Sequence, residues 1–251
     1  MSKAPVDAVK TSIQLLDELE VSAPASVTTL AERLDRPKAT VYYHLKTLEE
    51  SGYVVGTADG YELGLRLLAL GSRARQQRDL PAKVEPSLKQ LATESNEMTV
   101  FALQERQSAV IVGVEGPAGV DTPVDVTVGT HLPLHCSAVG KALLAELQDR
   151  QLSTALEAMN FTQYTAETVD TESSLREQLK SVRENKHAFD RGEWKDGVRS
   201  VASPVLDVDG SVIGAIGIVG PSLRLYSDRF THELPHLVQR FAERVEHTLR
   251  S

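Results

Sequence analysis

Residues 26–63 constrain the fold of this chain more than any other segment. The stretch SVTTLAERLDRP places Ala31 and Leu34 on the buried side of a short helix, with Thr28 as its predicted N-cap and Glu32 near its start. Pro37 suits the first turn of a second helix, because its missing N–H would have no partner there. We therefore predict two helices joined by a tight turn.

The second helix and the residues that follow it complete a recognisable unit. Val41, Leu45 and Leu48 recur at helical spacing in KATVYYHLKTLEESG, and Gly52 is a typical helix stop. Two β-favouring runs then flank Asp59-Gly60, a dipeptide that strongly signals a hairpin. Upstream, VDAVKTSIQLLDELE predicts an amphipathic helix. Its predicted inward residues are Val6, Val9, Ile13, Leu16 and Leu19. This order of elements indicates a winged helix-turn-helix in residues 1–63.

A winged helix-turn-helix predicts contact with double-stranded DNA, since its second helix lies in the major groove. Arg36 and Lys38 are placed to grip phosphates, whereas Thr40, Tyr43 and His44 are placed for bases or sugars. The full predicted set is Thr28, Arg36, Lys38, Thr40, Tyr42, Tyr43, His44, Lys46 and Thr57. Three cations alone would fit an ordinary solvated face, but the order of helices, turn and hairpin favours DNA binding.

The pattern changes after residue 63. Residues 64–80 predict a helix with Leu67, Leu68 and Leu70 on one side, ended by Pro81. Residues 81–251 alternate helical patterns with β-favouring runs, among them a strand pair over residues 98–116 and a hairpin around Asp209-Gly210. We predict an α+β chain whose second part is an antiparallel sheet with helices on its faces, and a domain boundary near Leu80.

Composition excludes several classes of protein. No apolar run among the 251 residues approaches the roughly 20 that a membrane helix needs, and no signal-peptide core is present, which predicts a cytoplasmic protein without membrane contact. Cys136 is the only cysteine, so an intramolecular disulfide is excluded and a cysteine-based zinc site is disfavoured. The formal charge of −8 argues against a simple basic nucleic-acid binder, although residues 1–80, with 10 basic and 11 acidic side chains, are nearly neutral.

The stretch HLPLHCSAVGKALLA raises three chemical alternatives. His135 and Cys136 are adjacent, so in an extended segment their side chains point to opposite sides, which disfavours a nucleophile with its base. Ala142 stands where a phosphate-binding loop requires Ser or Thr. Pro133, between His131 and His135, disfavours a helical zinc site.

A second group of acidic residues is equally ambiguous. Asp190, Glu193 and Asp196 fit a solvated charged loop better than an acid–base pair, although Asp190 could reach a pocket. We therefore predict a protein that is not an enzyme and needs no metal or cofactor, with Cys136 as a small buried hydrophobe.

Four segments together resemble the IclR family of transcriptional regulators. They are LAERLDRPKATVYYHLKTLEESGYV, YELGLRLLALG, LPLHCSAVGKALLA and DGVRSVASPVLDVDGSVIGAIGIVGP, in family order. The resemblance implies a winged helix-turn-helix over 1–63, a linker and dimerisation helix over 64–80 and a GAF-like effector-binding domain over 81–251. It also implies homodimers that commonly pair into tetramers, operator DNA as a partner, and a small-molecule effector that modulates operator affinity. The family usually has a glycine and an apolar residue where this chain has Asp35 and Arg36.

The same resemblance implies the residues of an effector pocket. They are His135, Cys136, Ser137, Ala138, Val139, Gly140, Asp190, Ser200, Gly217 and Val219. Members that bind small α-keto acids typically have Cys, Ser and Ser at the last three positions. Gly217 and Val219 offer no side-chain donor, so a larger or less polar effector is the better hypothesis. The alternative function is a small-molecule-binding or enzymatic module whose helix-turn-helix serves only for dimerisation or protein contact.

Overall fold

The computed structural model describes residues 6–78, 80–117, 119 and 124–250, which form two compact units. The first unit ends at Gln77 and the second begins at Arg78. The elements of the first unit are helices α1 (Asp7–Ser22), α2 (Val27–Arg33) and α3 (Lys38–Glu50), strands β1 (Val54–Thr57) and β2 (Gly60–Leu63), and helix α4 (Arg66–Gln76). The predicted winged helix-turn-helix is confirmed.

A small apolar core holds the three helices and the hairpin of the first unit together. Val41 and Leu45 of α3 are fully buried, as predicted from their spacing. They pack with Leu15 and Leu19 of α1 and with Leu30 of α2. The core therefore fixes α3 by one face and leaves its opposite face free of the unit.

The inward face predicted for α1 is wrong in part. The helix buries Thr11, Leu15 and Leu19. Three of the predicted inward residues are more than half exposed, namely Val6, Val9 and Ile13. The helix carries two apolar stripes at helical spacing, and periodicity alone does not tell which one meets the core. Thr11 tolerates burial because its hydroxyl donates a hydrogen bond of 3.0 Å to the carbonyl oxygen of Asp7.

Two predicted helix ends are also corrected. The N-cap of α2 is Ser26, not Thr28, because Oγ of Ser26 accepts a hydrogen bond of 3.1 Å from the N–H of Thr29. Helix α4 ends at Gln76, and Pro81 lies in the first turn of the next helix, α5 (Leu80–Ser95). A proline is tolerated in a first turn because no N–H is needed there, so Pro81 belongs to the start of a helix rather than its end.

The second unit is a six-stranded antiparallel sheet with helices on both faces, as predicted. After α5 its elements are β3 (Met98–Glu105), β4 (Ser108–Glu115), β5 (His131–Pro133), α6 (Ala138–Ala145), α7 (Asp149–Glu157), α8 (Glu172–Asn185), β6 (Ala188–Asp190), β7 (Val198–Leu206), β8 (Val212–Pro221), a π-helical turn (Arg229–Glu233) and α9 (Leu234–Arg250). The strand order is β5-β4-β3-β8-β7-β6. Strand β5, at one edge of the sheet, is only three residues long.

The sheet has one apolar core on each face, and each central strand contributes residues to both cores. In β3, Val100 packs on the side of α6, α7 and α8, whereas Phe101 packs on the side of α5 and α9. In β8, Val219 and Ile218 divide in the same way. This is the period of two expected of a strand that is buried on both faces.

Candidate functional site

The turn between α2 and α3 presents the start of α3. Asp35 has a φ of 49°, in the left-handed region that favours glycine, and aspartate is one of the few other residues that adopt it readily. The N–H of Arg36 donates to the carbonyl oxygen of Ala31 at 3.0 Å. Pro37 is the N-cap of α3, with a ψ of 135°. The chain can therefore carry aspartate where the IclR family usually has glycine.

The exposed face of α3 carries three predicted DNA contacts near its N-terminal half. Lys38 and Thr40 are exposed, and the side chain of Tyr43 is 70% exposed. Tyr42, a fourth predicted contact, packs edge-on against Tyr43 with 5.8 Å between ring centroids. Hydroxyls, aromatic edges and one ammonium group are thus exposed in the first two turns of α3.

Two cations predicted to contact DNA form ion pairs with acidic neighbours. Nη2 of Arg36 lies 3.2 Å from Oδ1 of Asp7. Nζ of Lys46 lies 2.7 Å from Oε2 of Glu49, and this hydrogen bond raises the pKa of Lys46 and lowers that of Glu49. Both pairs are solvent-exposed and therefore weak, yet each reduces the positive charge available to DNA.

The remaining predicted contacts differ in accessibility. His44 is half-buried, and its Nδ1 lies 2.8 Å from Oγ of Ser12 in α1, so the ring serves in part to join two helices. Thr28 is exposed on α2. Thr57 is exposed in the hairpin, where its hydroxyl donates to the carbonyl oxygen of Gly60 at 3.1 Å.

A cavity lies between α6 and the sheet of the second unit. It contains about 320 Å³ of empty space, including its opening to solvent. Six predicted effector residues line it, namely Ser137, Val139, Asp190, Ser200, Gly217 and Val219. The sequence did not indicate the other lining residues, which are Val100, Val126, Leu132, Trp194, Val201, Ala202 and Ile218. Apart from the Trp194 ring, these additions are aliphatic, and they make most of the wall apolar.

Asp190 is the only ionisable side chain among the described lining residues. Its Oδ1 accepts hydrogen bonds from the N–H groups of Gly192, Glu193 and Trp194, at 3.0, 2.7 and 3.4 Å. The hydroxyl of Ser200 lies 3.4 Å from Oδ2. Burial raises the pKa of Asp190 to about 6, although the charge of Lys141 and the backbone hydrogen bonds act in the opposite direction.

His135 and Cys136 are not placed as a nucleophile and its base. They lie in a turn between β5 and α6, not in the extended segment that the sequence suggested. Nε2 of His135 lies 3.0 Å from the carbonyl oxygen of Thr162. Cys136 is fully buried, and burial raises the pKa of its thiol to about 12. A thiol with that pKa remains protonated near neutrality, so it is a poor nucleophile.

Two of the predicted pocket residues, Ala138 and Gly140, act in packing. Both are buried in α6 and outside the described cavity wall. A Cβ on Gly140 would lie 2.5 Å from Cα of Leu134, so this position must be glycine for α6 to start where it does. Gly217 does line the cavity, and a Cβ there would meet Cγ1 of Val139 at 3.2 Å.

A buried ion pair beside the cavity was missed in the sequence. Nζ of Lys141 lies 2.7 and 2.8 Å from the two carboxylate oxygens of Glu193 and 2.8 Å from Oε1 of Gln178. Lys141 is 1% exposed and Glu193 is 5% exposed. The solvated loop predicted for Asp190, Glu193 and Asp196 is therefore wrong for the first two residues. No local pattern indicated the pair, because its members are far apart in the chain.

The described residues contain neither a cluster of metal-ligating side chains nor a membrane-spanning helix. No group of three or more His, Cys, Asp or Glu side chains in this part of the chain is arranged to hold a metal ion. No helix there is both long and apolar enough to cross a membrane.

A winged helix-turn-helix followed by an α+β domain with a largely apolar cavity defines a class of transcriptional regulators. The family model of the C-terminal domain of the bacterial transcriptional regulator IclR matches residues 72–247. A family model of a helix-turn-helix domain matches residues 8–55. The chain belongs to the IclR family and is a transcriptional regulator of that type.

Individual relatives agree with this assignment. The HTH-type transcriptional repressor AllR of Escherichia coli is 31% identical over 230 residues, which cover 90% of this chain and 84% of the repressor. The acetate operon repressor of Salmonella typhimurium is 29% identical over 246 residues, covering 96% and 89% of the two chains.

Solved structures of the family share the fold. The Thermotoga maritima IclR structure has a TM-score of 0.78 at 21% identity and covers 98% of this chain and 99% of its own. An IclR homolog from Microbacterium hydrocarbonoxydans, solved in complex with 4-hydroxybenzoate, has a TM-score of 0.77 at 20% identity, with 97% and 99% coverage.

Proposed function

We propose that this regulator binds operator DNA through the exposed face of α3 and the β1–β2 hairpin, and that a small molecule in the cavity changes its operator affinity. The observation that carries the DNA-contact proposal is the exposed group of Lys38, Thr40 and Tyr43 at the N-terminal half of α3. In the described part of the chain Lys38 has no ion-pair partner, unlike Arg36 and Lys46. Thr28, Tyr42, His44 and Thr57 are proposed as flanking contacts.

The experiment is a gel shift at graded salt with DNA from upstream of the protein's own gene. Each phosphate contact adds about one unit to the slope of log affinity against log salt. We expect Lys38→Ala to lower that slope by about one. Lys180→Ala removes the same charge from the exposed surface of α8 and should leave the slope unchanged. Equal slopes for both variants would favour the alternative that the helix-turn-helix serves only for dimerisation or protein contact.

The cavity supports the second half of the proposal. Its wall combines a few polar groups with a largely apolar surface, which is typical of small-molecule sites. A structure with the same fold was solved with 4-hydroxybenzoate bound. A footprint whose midpoint concentration moves when an effector is added is the expected result. A ligand that binds without moving the midpoint would contradict the regulatory role.

We also propose that the chain forms homodimers through α4 and the residue before it. No residue of α4 is buried within the chain, and Leu65 and Leu68 are 82% and 68% exposed. A second copy would remove this apolar surface from water. Leu68→Glu should weaken dimerisation more than tenfold in sedimentation, whereas Val208→Glu, at an exposed valine of the β7–β8 turn, should not. Unchanged dimerisation by Leu68→Glu would contradict an α4 interface.

A further inference from the structure

The polar groups of the cavity wall have an unusual balance of charge. Four described side chains that line it carry a polar group, namely Ser137, Asp190, Trp194 and Ser200. One of these is an acid, and no described lining residue is basic. Lys141 lies close by, but both oxygens of Glu193 and the side chain of Gln178 already accept its hydrogen bonds.

The acid has one oxygen that can still accept a hydrogen bond from a ligand. Oδ1 of Asp190 already accepts three backbone N–H groups, whereas the described partner of Oδ2 is the hydroxyl of Ser200 at 3.4 Å. A carboxylate oxygen has room for more than one donor. Because the side chain is only 1% exposed, a donor brought by a ligand would meet Oδ2 away from bulk water, where such a bond is strong.

A carboxylate ligand would be placed unfavourably in the same space. It would lie beside a buried acid of like charge and find no cationic side chain in the described wall. Two features favour an anion, namely the start of α6, since helix N-termini attract negative charge, and the indole N–H of Trp194. Ser137 caps one of the N–H groups of α6, because its Oγ accepts the N–H of Gly140 at 3.2 Å.

We propose, building on the effector-binding function above, that the cavity takes a small, mainly apolar molecule with a hydrogen-bond donor, an amine or a hydroxyl, at one end. The donor meets Oδ2 of Asp190, and the apolar body lies against Val100, Val126 and Val219. The volume inside the wall is only about 20 Å³, room for about one water molecule, so a ligand must be small and the wall must move apart to admit it. A compact ligand therefore replaces the larger one that the sequence suggested, while its low polarity is retained.

The test compares ligands that differ only at the polar end. Full-length protein at about pH 7.5 is titrated with 3-methylbutan-1-amine, 3-methylbutan-1-ol and 3-methylbutanoate, and with benzylamine, benzyl alcohol and benzoate. In at least one set we expect the amine or the alcohol to bind at least tenfold more tightly than the carboxylate. A carboxylate that binds most tightly in both sets, or no binding by any of the six, overturns the proposal.

Asp190→Asn tests the role of the acid directly. The amide oxygen can keep the three backbone N–H groups, and the amide nitrogen then presents a donor to the cavity where Oδ2 was an acceptor. The preference for the amine or alcohol over the carboxylate should fall at least tenfold, whereas Asp170→Asn, at an exposed position, should preserve it. An unchanged preference in Asp190→Asn overturns the proposal. If that variant does not fold, Val219→Ser, which adds a hydroxyl donor to the wall, should reduce the same preference.

Footprinting of operator DNA with the same six ligands distinguishes the proposed ligand class from the regulatory function on which it rests. If an amine or alcohol binds but the footprint midpoint stays fixed, the ligand class stands and regulation through the cavity fails. If a carboxylate binds most tightly and moves the midpoint, regulation stands and the ligand class fails.

Discussion

Nζ of Lys141 in α6 lies 2.7 Å from Oε1 of Glu193, and both side chains are almost wholly buried. Three elements, α7, α8 and β6, separate the two residues along the chain, and the folding of the second unit brings them together. A buried pair of this kind adds little net stability, but the loss of one partner leaves an uncompensated buried charge.

Removing either partner should therefore destabilise the protein severely. We expect Lys141→Met or Glu193→Leu to lower the free energy of unfolding by about 3–5 kcal/mol in denaturant titrations. The double variant should lose much less than the sum, because no buried charge remains. Lys180→Met, at an exposed lysine, should change stability by no more than about 0.5 kcal/mol. Additive losses in the double variant would show that the two side chains do not act as a pair.

Asp190 should make stability depend on pH. Its pKa in the folded protein, about 6, lies above the ordinary value of 3.8, so the folded state holds this proton more tightly than the unfolded state does. The stabilising contribution is complete below pH 3.8 and is lost as the pH rises through about 6, a change of about 3 kcal/mol. The stability of Asp190→Asn relative to the parent should rise by most of that amount from about pH 4 to about pH 7. Chemical denaturation across this range measures it, and a difference independent of pH would contradict the buried acid.

The pairing of Arg36 with Asp7 should limit DNA affinity. Asp7→Asn removes the partner of Arg36, freeing the guanidinium for a phosphate. We expect this variant to bind DNA more tightly and to steepen the salt dependence by up to about one unit, measured by gel shift. Asp17→Asn makes the same change of charge at an exposed position on the same helix. If both variants steepen the slope equally, general charge rather than release of Arg36 is responsible.

Cys136 should be inert in the folded protein. With a pKa of about 12, its thiolate fraction near pH 8 is on the order of one in ten thousand, and the side chain is fully buried. A thiol reagent should label native protein very slowly and urea-unfolded protein at once. Cys136→Ala should retain operator binding. Rapid labelling of the native protein would show that the turn opens readily.

The elements that the sequence predicted well are those fixed by local chemistry. The positions of Val41 and Leu45, the helix stop at Gly52 and the hairpin around Asp59-Gly60 all follow from spacing and turn preference within a few residues. The sheet of the second unit followed from successive β-favouring runs. In α1 the same reasoning failed, because Ile13 belongs to an equally regular apolar stripe that the core does not use.

The parts of the sites that the sequence missed depend on contacts between distant residues. Nothing near Arg36 indicates that Asp7 lies opposite it, and nothing near Lys141 indicates Glu193. The cavity positions came from family resemblance rather than from pattern. Trp194 and Val126 lay outside that resemblance, since they reach the cavity from loops whose paths the sequence does not specify.

Strand β8 contributes neighbouring residues to two compartments at once. Val219 and Ile218 both border the cavity, but the side chain of Ile218 packs in the layer beneath α5 and α9. Protein interiors are packed too densely to absorb a shift of one strand without movement of its neighbours. A bound ligand that displaces β8 must therefore also disturb the helix layer on the opposite face. That layer includes α5, the first helix after the boundary with the DNA-binding unit. The sheet is thus common to both layers, so ligand binding on one face can change the packing on the other.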